Sequence, residues 1–429
     1  MKSRDKITLI LLVLMSVFLF ADQRIMSAIL PEISAEYNID AKMLGFIGSA
    51  FTLVGALMSM GFGWFTDRIS RKMLLIIVVA VGEIPCFLTG FEFFTQNTAS
   101  FVLLRILTGI GVGGIYPLTF SLIGDYFSED HRATASAFMG MAWAIGMIGG
   151  PAIAGFIAPA SGWRLPFIIA AAPNFPLVLL FAVIAREPRR GRAEAELAGL
   201  EDYNPKITFD DFKKIFSSKT NIYTFIQGIP GTIPWGVLGY WLIFFLETER
   251  HLPKETATMV FTVMGAGTII GAILFAFWGE YLYKKKPAYM PIMVGIGILL
   301  GIIPVIITLN APIGNVSYYY ILSFLAGFLV STASANVKAI LMNVNAPERR
   351  GSVFAVFNIT DNLGQGFGPA IGGVMMASSS LLFTLNFATL WWIPCGLLFM
   401  LIARNLGADR NALKHEMEKK AEILREKKF

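Results

Sequence analysis

Ionisable side chains fall inside long apolar runs of this 429-residue chain: Asp22, Arg24, Glu83, Arg105, Lys338 and Asp361. A charge held within a bilayer is costly, so each is a candidate for function. At 1.5 Å per residue, Asp22 and Arg24 lie about 24 Å along a first helix. Arg105 lies near the far end of a fourth helix running the opposite way, so the depths overlap. A neighbouring cation favours the carboxylate of an Asp and desolvation favours its acid form, a balance that suits proton exchange. Asp22 and Arg105 are therefore the expected proton-coupling pair, with a purely structural ion pair as the plainer alternative. Glu83 reads as a neutral acid facing a neighbouring helix. Lys338, near a helix end, can snorkel to the interface.

A second group surrounds a proline- and glycine-rich stretch, Gln227-Gly228-Ile229-Pro230-Gly231-Thr232-Ile233-Pro234-Trp235-Gly236. Two prolines and three glycines in one span predict a broken helix, which is tolerable in lipid only facing protein or a water-filled cavity. Such interruptions point to a transport site. Gln227, Trp235 and Tyr240 are thus expected in an aromatic, mildly polar substrate cavity with Arg24. Asp361, Asn362 and Gln365 join them from a polar face about 15 Å into a later helix.

These residues are positioned by spans. The chain is 55% hydrophobic and only 15% charged, against about 25% charged in water-soluble domains. Twelve helices of about 20–25 residues fit a ~30 Å hydrocarbon core: Ile7–Leu30, Ala41–Phe65, Met73–Phe94, Ser100–Ile123, Ala133–Ala158, Leu165–Ile184, Asn221–Leu246, Thr256–Gly279, Ala288–Leu309, Val316–Asn343, Ser352–Met376 and Leu381–Ala403. The net charge of +6 does not imply a nucleic-acid partner. Most Lys and Arg cluster on one side of this segmentation, while the other side holds Lys42, Arg164, Arg250 and Lys254. By the positive-inside rule both termini are cytoplasmic. Cys86 and Cys395 fall within spans, so neither a disulfide nor a metal site is expected. His131, His251 and His415 lie outside the spans, and no nucleophile–base arrangement suggests an enzyme. The first run is followed by Asp22 and Arg24 rather than a small-residue cleavage site, so it reads as a retained helix.

One connection is long. Arg186 to Thr220 carries Phe209, Phe212, Ile215 and Phe216 at helical spacing among charges, as in an amphipathic helix on a membrane surface. The expected organisation is a six-helix bundle over 1–185, this linker over 186–220, a second bundle over 221–403 and a charged cytoplasmic tail over 404–429. In the tail, Glu416 and Lys420 are spaced to pair across one turn.

Two patterns support that division. Gly61-Phe62-Gly63-Trp64-Phe65-Thr66-Asp67-Arg68-Ile69-Ser70-Arg71-Lys72 joins the second and third spans. Arg132, Ala137, Gly146 and Gly150-Pro151-Ala152-Ile153-x-Gly155 recur 218 residues later as Arg350, Ala355, Gly364 and Gly368-Pro369-Ala370-Ile371-x-Gly373, and Gly109 recurs as Gly327. The spacing G-x-x-x-D-R-x-x-R-K resembles the signature loop of the major facilitator superfamily, whose two halves are parallel repeats enclosing a midplane site. The resemblance implies an all-α membrane protein with 12 transmembrane helices in two pseudo-symmetric six-helix bundles. It also implies a cytoplasmic gate from Gly63, Asp67, Arg68, Arg71 and Lys72, with Asp67 against the helix start near Gly351 and Ser352, and Arg71 paired with Asp125. Gly146, Gly150 and Pro151, with Gly364, Gly368 and Pro369, resemble the family's glycine-proline motif, read as hinge and packing surface. Ala21-Asp22-Gln23-Arg24 with Leu30-Pro31 resembles the first helix of spinster-type lipid transporters and organic-anion symporters, although those usually lack the intervening Gln. Spinster relatives also tend to carry a glutamate where this chain has Val112 and Gly113.

The resemblance implies secondary active transport of a small organic molecule by alternating access. The proton gradient supplies the energy, with no cofactor, and an amphipathic or lipid-like substrate is one possibility. The alternative is an organic-anion/proton symporter working in uptake, and a more distant one is a non-transporting sensor on the same fold. The expected setting is the plasma (inner) membrane, with lipids and the substrate as partners and the chain a monomer.

Overall fold

The computed structural model describes residues 3–66, 69–127, 129–188, 213–312, 316–346 and 349–426. Among them every regular element is a helix: α1 (Ser3–Ile25), α2 (Leu30–Tyr37), α3 (Ala41–Thr66), α4 (Arg71–Thr89), α5 (Thr98–Tyr126), α6 (Glu129–Ser161), α7 (Leu165–Ala171), α8 (Asn174–Ile184), α9 (Lys219–Thr248), α10 (Lys254–Lys285), α11 (Tyr289–Asn310), α12 (Val316–Val330), α13 (Ala333–Val344), α14 (Arg350–Met376), α15 (Leu381–Leu390) and α16 (Trp392–Glu426). Lipid offers backbone groups no partners, which is why the apolar runs close their hydrogen bonds within themselves. Eleven candidate spans among the described residues are long and apolar enough to cross a membrane. The helix completing twelve is α14, whose Asn358, Asp361, Asn362 and Gln365 lower its hydropathy.

Several boundaries differ from the sequence reading. The first span ends at Ile25, passes through a 3-10 turn at Met26–Ala28, and restarts as α2 with Pro31 in its first turn. The sixth span is interrupted between α7 and α8 beside Pro173, and the tenth between α12 and α13. At the tenth-span break the Ser331 hydroxyl donates to Phe328 O and the Asn336 amide to Thr332 O. The broken helix expected at Gln227–Gly236 is not there: α9 runs unbroken through both prolines. Each proline frees one carbonyl four residues back without stopping the helix, and the glycines serve close packing instead.

The chain forms two compact units. The first comprises 1–203, 237–262 and 366–384, and the second 204–236, 263–365 and 385–429. In the first, α3 and α4 pack on α5, and α1 packs on α6. Its core joins Leu12, Met15 and Leu19 of α1 to Leu75 and Val78 of α4 and Ile115 and Leu118 of α5. Small residues permit this closeness: a Cβ on Gly113 would run into the Gly55 carbonyl oxygen, and one on Gly150 into that of Ala21. With lipid as apolar as the helices, such tight contact is what holds a membrane bundle together. In the second unit α11 packs against α12 and α16.

Candidate functional site

The first unit encloses a small cavity lined by Asp22, Gln23 and Arg24 of α1, Gly48, Phe51 and Thr52 of α3, Arg105 of α5, Tyr240 of α9 and Pro369 of α14, with Met26 and Ile47. Its volume is about 20 Å³, room for a single water molecule. Arg105 is 1% exposed, as is Asp22. Its Nη1 donates to Asp22 Oδ1 at 3.1 Å and its Nη2 to Thr108 Oγ1 at 3.2 Å. The guanidinium lies over the Phe167 ring, 4.7 Å from the centroid. Asp22 Oδ2 and Arg105 Nε are buried without hydrogen-bond partners.

Arg24 is placed differently. It is 7% exposed, makes no ion pair among the described residues, and packs under Gly239, where a Cβ would come 2.9 Å from its Nη1. Tyr240 packs against Gly48 and donates its hydroxyl to Leu44 O at 2.7 Å. Beside it, Trp241 Nε1 donates to Pro369 O at 3.1 Å, and Ser49 accepts from the Ala370 amide at 2.9 Å. Near the α2 end of the unit, Lys254 pairs with Glu32 and lies 3.4 Å from Glu247. There Glu36 accepts from Trp163 Nε1 at 2.7 Å and from both Nη atoms of Arg164.

The remaining predicted cavity residues lie in the second unit. Gln227 Nε2 donates to Thr224 O, and its Oε1 accepts from Cys395 Sγ at 3.4 Å. Trp235 meets Trp392 edge-on, with centroids 5.8 Å apart, and Trp392 Nε1 donates to Gly231 O. The Thr232 hydroxyl lies 2.8 Å from Asp361 O, so α9 and α14 are joined at the glycines. Asn362 and Gln365 are half-buried, and Lys338 is exposed. Gly364 abuts the Ile229 carbonyl, while Gly368 is buried in α14. In the first unit Gly146 abuts the Val17 carbonyl, and Pro151 is buried.

Of the gate residues, Asp67 and Arg68 lie outside the described residues, and Gly63 falls within α3. Arg71 pairs with Asp125 and, at 3.0 Å, with Glu187; its Nη2 donates to Pro188 O. Glu187 also accepts from Ser70 Oγ at 2.7 Å and from the Lys72 amide at 2.8 Å. Burial pushes the Glu187 carboxyl up, but the hydrogen bonds from Lys72, Ser70 and Arg71 outweigh it and hold it below the usual glutamate range. Sequence reasoning missed Glu187, whose partners lie 115 to 117 positions away. It also missed Gln23, Gly48, Phe51 and Thr52. The signal available was Gly45 and Gly48 one turn apart in an apolar span. In the linker, Phe209 and Phe212 lie outside the described residues, while Ile215 is buried and Phe216 exposed. Glu416 bonds Arg349 and Lys214.

A chain whose described residues form many long apolar helices around a small charged cavity is built as a membrane transporter. The sequence profile of the Major Facilitator Superfamily matches residues 12–319, and the chain belongs to that family, a family of transporters and not of enzymes. It is 28% identical to the cis,cis-muconate transport protein of Acinetobacter baylyi over 84% of this chain and 85% of that protein. It is 23% identical to the hexuronate transporter of Bacillus subtilis over 88% and 89% of the two chains. The same identity relates it to multidrug resistance protein 2 of B. subtilis over 86% and 88%. Among solved structures, an inward-facing bacterial homologue of the human lysosomal transporter Spinster superimposes with a TM-score of 0.82 at 19% identity, covering 96% of this chain and 99% of that one.

Proposed function

We propose that this chain is a proton-coupled importer of a small organic carboxylate, set in the plasma (inner) membrane with both termini in the cytoplasm. The observation that carries the reading is Arg24. A buried guanidinium without an ion-pair partner is costly, and an anion entering the cavity supplies the partner. Planar, bidentate pairing with a carboxylate is what a guanidinium does best. The muconate and hexuronate of the relatives' names are both carboxylates. An amphipathic or lipid-like cargo has the likeness of fold to Spinster and the multidrug resistance relative behind it, but neither gives Arg24 a partner. The cavity's ~20 Å³ is too small for an organic anion, so the substrate enters by widening it, as alternating access requires.

Asp22 is the proton site. Paired with Arg105 it stays ionised, and when Arg105 is drawn away the bare carboxylate takes a proton. Proton occupancy then differs between conformations, and a ligand biases an equilibrium only through such a difference. The arrangement is tested in proteoliposomes with cis,cis-muconate and benzoate as probes. Inward-directed proton gradients should drive accumulation. Arg24→Gln should raise KM for carboxylates at least tenfold, and Asp22→Asn should abolish gradient-driven accumulation while exchange persists. Accumulation by Asp22→Asn equal to that of the unmodified protein would sink the proton assignment. Were Asp22–Arg105 only structural, Asp22→Asn would instead cost about 3–5 kcal/mol of stability, rescued by adding Arg105→Gln.

A further inference from the structure

Beside the cavity lies an acid that the reading above does not use. Glu83, on α4, is 0% exposed and makes no ion pair among the described residues. One carboxyl oxygen accepts from Asn174 Nδ2 of α8, which also donates to Met15 O of α1 at 3.2 Å. The other oxygen, Oε2, is buried with no partner, as is Asn174 Oδ1. Burial of an ionised carboxylate with one oxygen unpartnered is costly, and a neutral acid at this place avoids that cost.

Its surroundings are specific. One turn along α4, Cys86 donates to Phe167 O and stands beside Asp22 and Arg105. Glu83 itself is within electrostatic reach of both. The charged and titratable groups facing it are therefore Asp22 from α1, Arg105 from α5 and Cys86 from its own helix, while α7 and α8 contribute only the neutral Asn174. Asp22 pairs with the Arg105 guanidinium and Glu83 lies within its electrostatic reach, and the set is neutral when it carries one proton. Each carboxyl has one unpartnered oxygen, and Arg105 has an unpartnered Nε.

We infer that Glu83 is a second proton-carrying carboxyl, and that Arg105 exchanges its ion pair between Asp22 and Glu83 so that the acid without the guanidinium bears the proton. With Arg105 on Asp22, as here, the proton is on Glu83. When Arg105 turns to Glu83, the Glu83 O–H bond breaks and a proton ends on Asp22, which lines the cavity. The charges of the three groups sum to zero before and after. The inference rests on the proton role of Asp22, but its test needs no substrate.

Infrared difference spectra of the purified protein in lipid, titrated across neutral pH, read protonated carboxyl groups directly. The protein and its Glu83→Gln variant should differ by one protonated-carboxyl band at neutral pH. On an Asp22→Asn background the same comparison should show no such band, because Arg105 then pairs with Glu83 and ionises it. Melting temperatures give an independent arm. Asp22→Asn should melt close to the unmodified protein, since Arg105 keeps a carboxyl, and Asp22→Asn with Glu83→Gln should lose more than the two single changes added. The inference is overturned if the Glu83 band is absent at neutral pH, if it survives Asp22→Asn, or if Asp22→Asn alone collapses the fold. Failure of carboxylate transport with these spectra intact would overturn the substrate reading alone.

Discussion

Arg71 and Glu187 show how a few side chains fasten a loop to a helix start. Glu187 answers the Ser70 hydroxyl, the Lys72 amide and the Arg71 guanidinium together. Because its folded-state carboxyl is held below the ordinary value, the stabilisation is complete above the unfolded-state pKa of about 4.3. It is lost as pH falls through the lower folded value. The melting temperature of the protein should therefore exceed that of Glu187→Gln at neutral pH, and the gap should close on acidification below about pH 4. A gap that stays constant with pH would show that the charge of Glu187 is idle. The contacts were invisible in the sequence because Glu187 is a lone acid at the mouth of a basic linker. Only the return of the sixth span brings it to the start of α4.

Among the elements, α1 and α6 make the most direct claim. Gly146 and Gly150 lie on the Val17 and Ala21 carbonyls, the latter immediately before Asp22, so their lack of a side chain sets where Asp22 sits. Gly149, by contrast, has open space around it. Gly150→Ala should cost about 1–3 kcal/mol by overpacking and lower gradient-driven transport, whereas Gly149→Ala should leave both within error. Equal effects from the two would mean that the α1–α6 contact is not what positions Asp22. The glycine-proline spacing was legible because small residues repeat at helical intervals. The continuity of α9 was not, since prolines and glycines look alike in sequence whether they break a helix or seat it on a neighbour. The Thr232 hydroxyl by Asp361 O and the Trp392 indole on Gly231 O are what reveal seating.

At the scale of the molecule, the repeat read at an offset of 218 residues has a counterpart in packing. Gly109 abuts the Phe51 carbonyl of the second span in one unit, and Gly327 abuts the Met264 carbonyl of the eighth in the other. Gly146 on the first span likewise corresponds to Gly364 on the seventh. Spans and repeat could be found from composition and spacing, but the cavity could not, because its walls come from residues 22 to 369. The Lys254 clamp belongs to this scale. With Lys254→Met, the Glu32 and Glu247 carboxylates face each other unscreened, and the α2 end of the first unit should open more often. A cysteine at Thr52 should then react faster with an impermeant thiol reagent added from that side, the native Cys86 and Cys395 being buried. Unchanged labelling would rule out the clamp.

Two of the aromatic fastenings in the first unit end on main-chain oxygens: Tyr240 on Leu44 and Trp241 on Pro369. A peptide carbonyl is supplied by every amino acid. The bond itself therefore asks nothing of the side chain at Leu44, whereas it requires the tyrosine and the tryptophan. A lineage can thus retune the wall of the cavity, and with it the cargo, by exchanging side chains around fixed aromatic pegs. Mutational scanning with a transport readout should find Leu44 tolerant of apolar exchanges and Tyr240 and Trp241 intolerant, with Gly45 intolerant too because a Cβ there would strike the Pro369 carbonyl. Specificity in this scaffold is cheap to change and closure is not.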